Sequence, residues 1–115
     1  MQNFKELIVY KEAYELSKDI FKDIKSSKNF RLKEQLFGSV TAIPANLAEM
    51  GAFESDKASQ QKVRVCIGEA NETEFWLDFC NDTGEITKEK HSDYTARITK
   101  IRKMLFNLLK SMKGE

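Results

Sequence analysis

Ser39-Val40-Thr41-Ala42-Ile43-Pro44-Ala45-Asn46-Leu47-Ala48-Glu49-Met50-Gly51 decides the fold, because it carries the chain's one proline in the middle of a helical pattern. Leu32, Leu36, Val40, Ile43, Leu47 and Met50 recur at intervals of four, four, three, four and three. That spacing holds them on one narrow stripe of a 3.6-residue helix, the signature of a helix facing a core. Pro44 lies to one side of the stripe. It removes the hydrogen bond to the Val40 carbonyl and crowds that carbonyl, at about 3 kcal/mol or more in an ordinary helix interior. The seam keeps its register on both sides of Pro44, so the spacing predicts one helix that continues through the proline and kinks over the turn Val40–Pro44. Beside the seam runs a small and polar row, Gln35, Ser39, Ala42, Asn46 and Glu49, suited to the close approach of another helix.

Working outward, the N-terminal stretch predicts a helix from about Phe4 to Lys25. Its apolar stripe is Tyr10, Ala13, Tyr14, Ser17, Ile20, Phe21 and Ile24, and it ends in Ser26, Ser27 and Asn29. The second helix spans about Arg31 to Met50, with Gly51 as its stop and Ser55 or Asp56 as the cap of the next. The third, about Asp56 to Asp82, is apolar on two sides. One side is a core seam of Val63, Cys66, Ala70, Thr73, Leu77 and Cys80; the other carries Val65, Gly68, Glu72, Phe75, Trp76 and Phe79. In a chain this small, the second side predicts a face buried between subunits, with Phe75, Trp76 and Phe79 as candidate oligomer contacts. Gly84 closes that helix and Thr87 caps the last, about Lys88 to Met112. Its seam is His91, Tyr94, Ile98, Ile101, Leu105, Leu108 and Met112. Short connections make consecutive helices antiparallel neighbours. The expectation is an all-α, up-down-up-down antiparallel four-helix bundle with a proline-kinked second helix, a single domain over residues 1–115.

Composition narrows the function. At 115 residues the chain builds one core. A net charge of +1 commits the whole molecule neither to nucleic acid nor to a membrane. The charge is uneven: residues 30–82 have five Lys/Arg against nine Asp/Glu, residues 83–115 eight against four. Opposite charges of this kind suit helix pairing or subunit packing. No run approaches a membrane span, and Met1-Gln-Asn-Phe-Lys has no signal-peptide core, so a cytoplasmic protein is expected. Cys66 and Cys80, fourteen residues apart on one helix, lie about 21 Å apart at 1.5 Å per residue. That is too far to pair, and both suit a buried apolar role.

Chemistry is sparse. The one histidine, His91, stands at a seam position. Glu69 and Glu72 make a Glu-x-x-Glu on one helix where a di-iron bundle needs Glu-x-x-His on two. The cysteines lack zinc spacing, and no phosphate loop or nucleophile elbow is present. No enzyme, cofactor or small-molecule substrate is expected. Glu72 is a charge inside an aromatic face, costly without a partner; with Asn46 and Glu49 it makes a candidate structural polar cluster that fixes helix register. Candidate nucleic-acid contacts are Arg97, Lys100, Arg102 and Lys103. Together with Lys110 and Lys113 they spread around the last helix, without the aromatic interleaving of a base-stacking surface.

Three groups of residues resemble a known family. These are Phe4-x-x-Leu7 with Val9-Tyr10 and Ala13; Ile43-Pro44-Ala45-Asn46-Leu47-Ala48-Glu49; and Gly68-x-x-x-Glu72-x-x-x-Trp76-Leu77. Together they resemble the bacterial 23S ribosomal RNA intervening-sequence proteins, over Phe4 to about Lys113. The resemblance implies a four-helix bundle with a kinked second helix, no known enzymatic activity, and assembly into a homo-oligomeric ring, typically a pentamer. Two departures stand out: Phe37 and Gly38 occupy positions where the family commonly has arginines, and Met50 separates Glu49 from Gly51. Two function classes follow: a self-assembling scaffold or interaction protein, and a weak RNA- or DNA-binding accessory factor resembling those of diversity-generating retroelements.

Overall fold

The computed structural model describes residues 3–51 and 56–114. Among them the chain is all-α, with helices α1 (Ile8–Ile24), α2 (Phe30–Met50), α3 (Asp56–Asp82) and α4 (Lys88–Met112), and no strand. The long dimension is 43 Å, against 22 and 20 Å across. At 1.5 Å per residue the longest helix accounts for roughly 40 Å of it.

The first helix starts later than the sequence suggests. Phe4–Glu6 form a 3-10 turn, Leu7 is extended at φ −66° and ψ 127°, and α1 begins at Ile8. Asn3 accepts from the Lys5 amide and so caps the short turn rather than a long helix. α2 begins where the Asn29 side chain accepts from the Leu32 amide at 3.2 Å, and α4 where Thr87 accepts from Lys90 at 3.1 Å. α3 ends at Asp82 and the chain turns away at Gly84, whose φ of 77° lies in the left-handed region. The Glu85 amide there reaches back to the Cys80 carbonyl at 2.8 Å, a closure that favours glycine. Gly51 stops α2 as expected, but as a C-cap whose backbone stays right-handed helical at φ −61°. Ser55, the other suggested cap, lies outside the described residues, and Asp56 is already the first residue of α3.

α2 runs unbroken through Pro44. The carbonyl that proline leaves without a helical donor, Val40 O, lies 3.3 Å from the Ser17 hydroxyl of α1, which also donates to its own Ala13 carbonyl at 2.8 Å. One turn further on, the Cys66 thiol of α3 approaches the Ile43 carbonyl at 3.5 Å. The proline's missing bond is thus partly replaced from a neighbouring helix, which is how such helices persist.

The seam of α2 is the centre of the core: Leu36, Val40, Ile43 and Leu47 are wholly buried. It meets Val63, Cys66, Ala70 and Leu77 of α3, Tyr94, Ile98, Ile101 and Leu105 of α4, and a stripe of α1. That α1 stripe is Val9, Ala13, Leu16, Ile20 and Ile24. The expected one was wrong in two members: Tyr14 and Phe21 are exposed, and Val9 and Leu16 take the inner positions. α1 carries two adjacent apolar rows, and the inner row is the one made of compact aliphatic side chains. On α4, Leu108 and Met112 pack only partly against the core. Each helix packs against two others, α1 on α2 and α4, α3 on α2 and α4.

Cross-helix partners follow a regular order. From α2 to α3, Ser39 meets Thr73, Ile43 meets Cys66 and Glu49 meets Lys62. From α3 to α4, Asp78 meets His91, Glu74 meets Arg102 and Gln60 meets the Met112 carbonyl. From α1 to α4, Asp23 meets Tyr94, Asp19 meets Arg97 and Glu12 meets Lys100.

Candidate functional site

The two faces of α3 end in different places. Val63, Cys66, Ala70, Thr73 and Leu77 have no exposed surface, and Thr73 donates to the buried Ser39 hydroxyl at 3.0 Å. On the other side Phe75 and Phe79 are 57% and 42% exposed. Trp76 lies partly buried between them and the core. The three rings touch one another, with centroids 4.9 Å apart for Phe75–Trp76, 5.8 Å for Trp76–Phe79 and 6.5 Å for Phe75–Phe79. Edge-on and offset stacking of this kind holds the ridge in one arrangement. Val65 continues it toward the N-terminus of the helix, 39% exposed.

A second apolar surface was missed by sequence reasoning. Between α1 and α2 lies an open groove of about 660 Å³ lined by Tyr10, Tyr14, Phe21, Phe37, Pro44 and Ala45 among others. Phe21 and Phe37 meet across it, centroids 5.2 Å apart, and Tyr10 stacks on Tyr14 at 5.9 Å. Three lysines, Lys18, Lys22 and Lys25, form its rim. The signal is present in the spacing of Tyr10, Tyr14, Ser17 and Phe21 by four, three and four, a row that adjoins the core stripe and shares its helical period.

The polar cluster assembles around a residue that the sequence reading passed over. The Lys62 ammonium donates to Asn46 Oδ1 and Glu49 Oε2, each at 3.3 Å, and Asn46 in turn donates to the Ala42 carbonyl at 2.7 Å. This ties α3 to α2. Glu72 is exposed on the outer side of α3, and its near neighbour is Glu69. Partial burial, then the hydrogen bond and like charge of Glu72, raise the Glu69 carboxyl above its ordinary range. The outer flank of the ridge is therefore acidic.

On α4, three of the four candidate nucleic-acid residues are engaged within the chain. Arg97 pairs with Asp19 at 2.9 Å and Asp93 at 3.4 Å, Lys100 with Glu12 at 3.1 Å, and Arg102 with Glu74 at 2.7 Å. Lys103 is exposed. Near Arg97, the Tyr94 hydroxyl donates to Asp23 and to the Asp19 carbonyl. Burial and those acids push its phenol up. Burial also pushes the Cys66 thiol up to about 12 and Cys80 up to about 11, so neither offers a thiolate near neutrality. His91 Nε2 lies 2.8 Å from Asp78. Among the described residues no group of three or more His, Cys, Asp or Glu is placed to hold a metal ion, and no helix is long and apolar enough to cross a membrane.

The sequence pattern of one family, the 23S rRNA-intervening sequence protein, matches residues 5–107. The chain belongs to that family. Its fold is similar to the crystal structure of a protein of unknown function from the S23 ribosomal protein family of Bacteroides thetaiotaomicron. The two are 29% identical with a TM-score of 0.83, over 90% of this chain and 96% of that one. No curated protein matches.

Within this member of the 23S rRNA-intervening sequence proteins, the residues carrying the resemblance divide by role. Ile43, Leu47 and Leu77 are core. Asn46 and Glu49 hold Lys62. Gly68, Glu72 and Trp76 share the outer side of α3, and a side chain added at Gly68 would stand in open space. A helical glycine with no packing reason inside its own subunit costs about 0.5–1 kcal/mol relative to alanine.

Proposed function

We propose that this protein acts by assembling with copies of itself, as a non-enzymatic scaffold or interaction protein of the cytoplasm. The assembly is a closed ring, for which the family resemblance implies five subunits. The observation that carries the reading is the ridge of Phe75, Trp76 and Phe79, three rings in mutual contact on the surface of a small chain. Clustered aromatic surface of this kind marks a protein interface more often than a solvated face. The subunit is an up-down-up-down antiparallel bundle with α2 bent at the turn Val40–Pro44. Its antiparallel order is supported by the cross-helix partners, which fall along one helix as they rise along the next. A non-enzymatic role is supported by the burial of both thiols, which disfavours their reactive thiolate form, and by the ion pairs that hold Arg97, Lys100 and Arg102.

Sedimentation or light scattering at micromolar concentration tests this directly. A mass several times that of the subunit is expected, and a monomer would sink the reading. Phe79→Glu should then lower the mass while leaving the helical circular-dichroism signal in place, because Phe79 is not part of the subunit core.

A further inference from the structure

We propose that the aromatic ridge of α3 in one copy docks into the α1–α2 groove of the next copy, a head-to-tail contact. This rests on the self-assembly reading and specifies its geometry. Among the described residues the ridge and the groove are two exposed clusters of aromatic side chains, and they cannot meet within one chain, since α1 and α3 do not pack together. One is convex, formed by Phe75, Trp76 and Phe79; the other is a concave groove of about 660 Å³ walled by Tyr14, Phe21 and Phe37, which are 48%, 44% and 37% exposed.

Charge chooses between the possible pairings. The groove is rimmed by Lys18, Lys22 and Lys25; Lys18 meets Glu15 at 2.6 Å and Lys22 meets Asp19 at 4.0 Å along α1, pairs open to solvent and therefore weak. The ridge is flanked by Glu69 and Glu72, with the exposed Asp82 near its C-terminal end. Ridge against ridge would bring the acids of both copies together, and groove against groove would do the same to the lysines. Like charges juxtaposed at an interface cost several kcal/mol. Only ridge into groove sets opposite signs face to face. The Glu69–Glu72 pair fits this, because the two neighbouring carboxyls repel one another and a lysine from the groove's rim would relieve that repulsion. A contact between two different patches of one molecule is heterologous, and repeats until it closes on itself.

Heterologous docking has a signature that isologous docking lacks. Ala45→Arg blocks the groove from an exposed position on α2, and Phe75→Glu blocks the ridge. Each variant alone should be monomeric with unchanged helicity. Mixed in equal amounts, they should form a 1:1 dimer and stop there, since the first retains its ridge and the second its groove. If Ala45→Arg assembles like the wild type, the groove is not used and the proposal fails, while self-assembly stands. If both variants are monomeric but do not associate when mixed, the ridge–groove pairing is wrong. A wild-type monomer would remove the self-assembly reading along with this one. Should Ala45→Arg fail to fold, Lys22→Glu/Lys25→Glu on the rim takes its place. Assembly lost in that variant should return when Glu72→Lys/Asp82→Lys is added, and absence of that rescue would overturn the proposed pairing.

Discussion

Pro44 and Ser17 form a pair that neither helix explains alone. Proline deprives the Val40 carbonyl of its α-helical donor, and the Ser17 hydroxyl reaches that carbonyl from α1 at 3.3 Å. The hydroxyl has one proton and also serves Ala13 at 2.8 Å, so its bond to Val40 is the weaker branch. Ser17→Ala should therefore cost about 1–2 kcal/mol, mostly from a buried carbonyl losing its partner. In a Pro44→Ala background the helix supplies its own amide to Val40, and Ser17→Ala should cost about 1 kcal/mol less there. Pro44→Ala alone should leave the fold intact. Urea midpoints of the four proteins close the cycle; additive effects would mean that Ser17 does not compensate the proline.

At the scale of elements, α1 and α4 are joined by polar bridges as well as by core packing. Tyr94 is buried to 1% exposure, with its hydroxyl donating to Asp23 and to the Asp19 carbonyl, and Arg97 pairs with Asp19 beside it. Bonds to ionised partners contribute more than neutral ones, and Asp23 keeps Lys90 at 3.8 Å after the hydroxyl is removed. Tyr94→Phe should thus destabilise the fold by about 1–2 kcal/mol without altering the bundle; an unchanged denaturation midpoint would show that the phenol is dispensable. This bridge was only half legible in the sequence. The seam of α4 announced Tyr94 as a core residue, but three/four periodicity places a side chain on a face and says nothing about which acid on another helix meets its hydroxyl. The same limit explains α1. Val9-Ala13-Leu16-Ile20-Ile24 and Tyr10-Tyr14-Ser17-Phe21 are neighbouring rows with equally good helical spacing. Choosing between them takes the shape of the space that α2 leaves. α2 was readable because it has one apolar row bordered by small or polar residues, and the inner seam of α3 because Arg64, Asn71, Glu74 and Asp78 separate it from the outer aromatic face. Lys62 is the opposite case: as a lone lysine in a polar setting it carries no pattern, and only the approach of α2 to α3 brings Asn46 and Glu49 to it.

For the whole molecule, the uneven charge along the chain is spent largely on holding helices together. Arg97, Lys100 and Arg102 face Asp19, Glu12 and Glu74 on α1 and α3, leaving Lys88 at the start of α4 and Lys103 and Lys110 in its C-terminal half as exposed basic positions. That shapes a test of the nucleic-acid alternative. A subunit neutralising two phosphates of a single strand has a salt slope of about −1.4, so raising salt from about 50 to 200 mM lowers its affinity only about sevenfold. A ring that engages several subunits at once multiplies the slope by their number, and its binding should vanish over the same range. The scaffold reading expects no binding of RNA or single-stranded DNA that survives the higher salt. If binding appears at the lower salt, its slope divided by that of one subunit counts the subunits in contact. Lys103→Glu/Lys110→Glu should then abolish it without changing the oligomer's mass, because neither lysine pairs with an acid among the described residues. Reversing Arg102 instead would break the pair with Glu74 and confuse lost binding with a loosened α3–α4 contact. Binding that persists at the higher salt after Lys103→Glu/Lys110→Glu would place the nucleic-acid surface elsewhere and count against a pure scaffold.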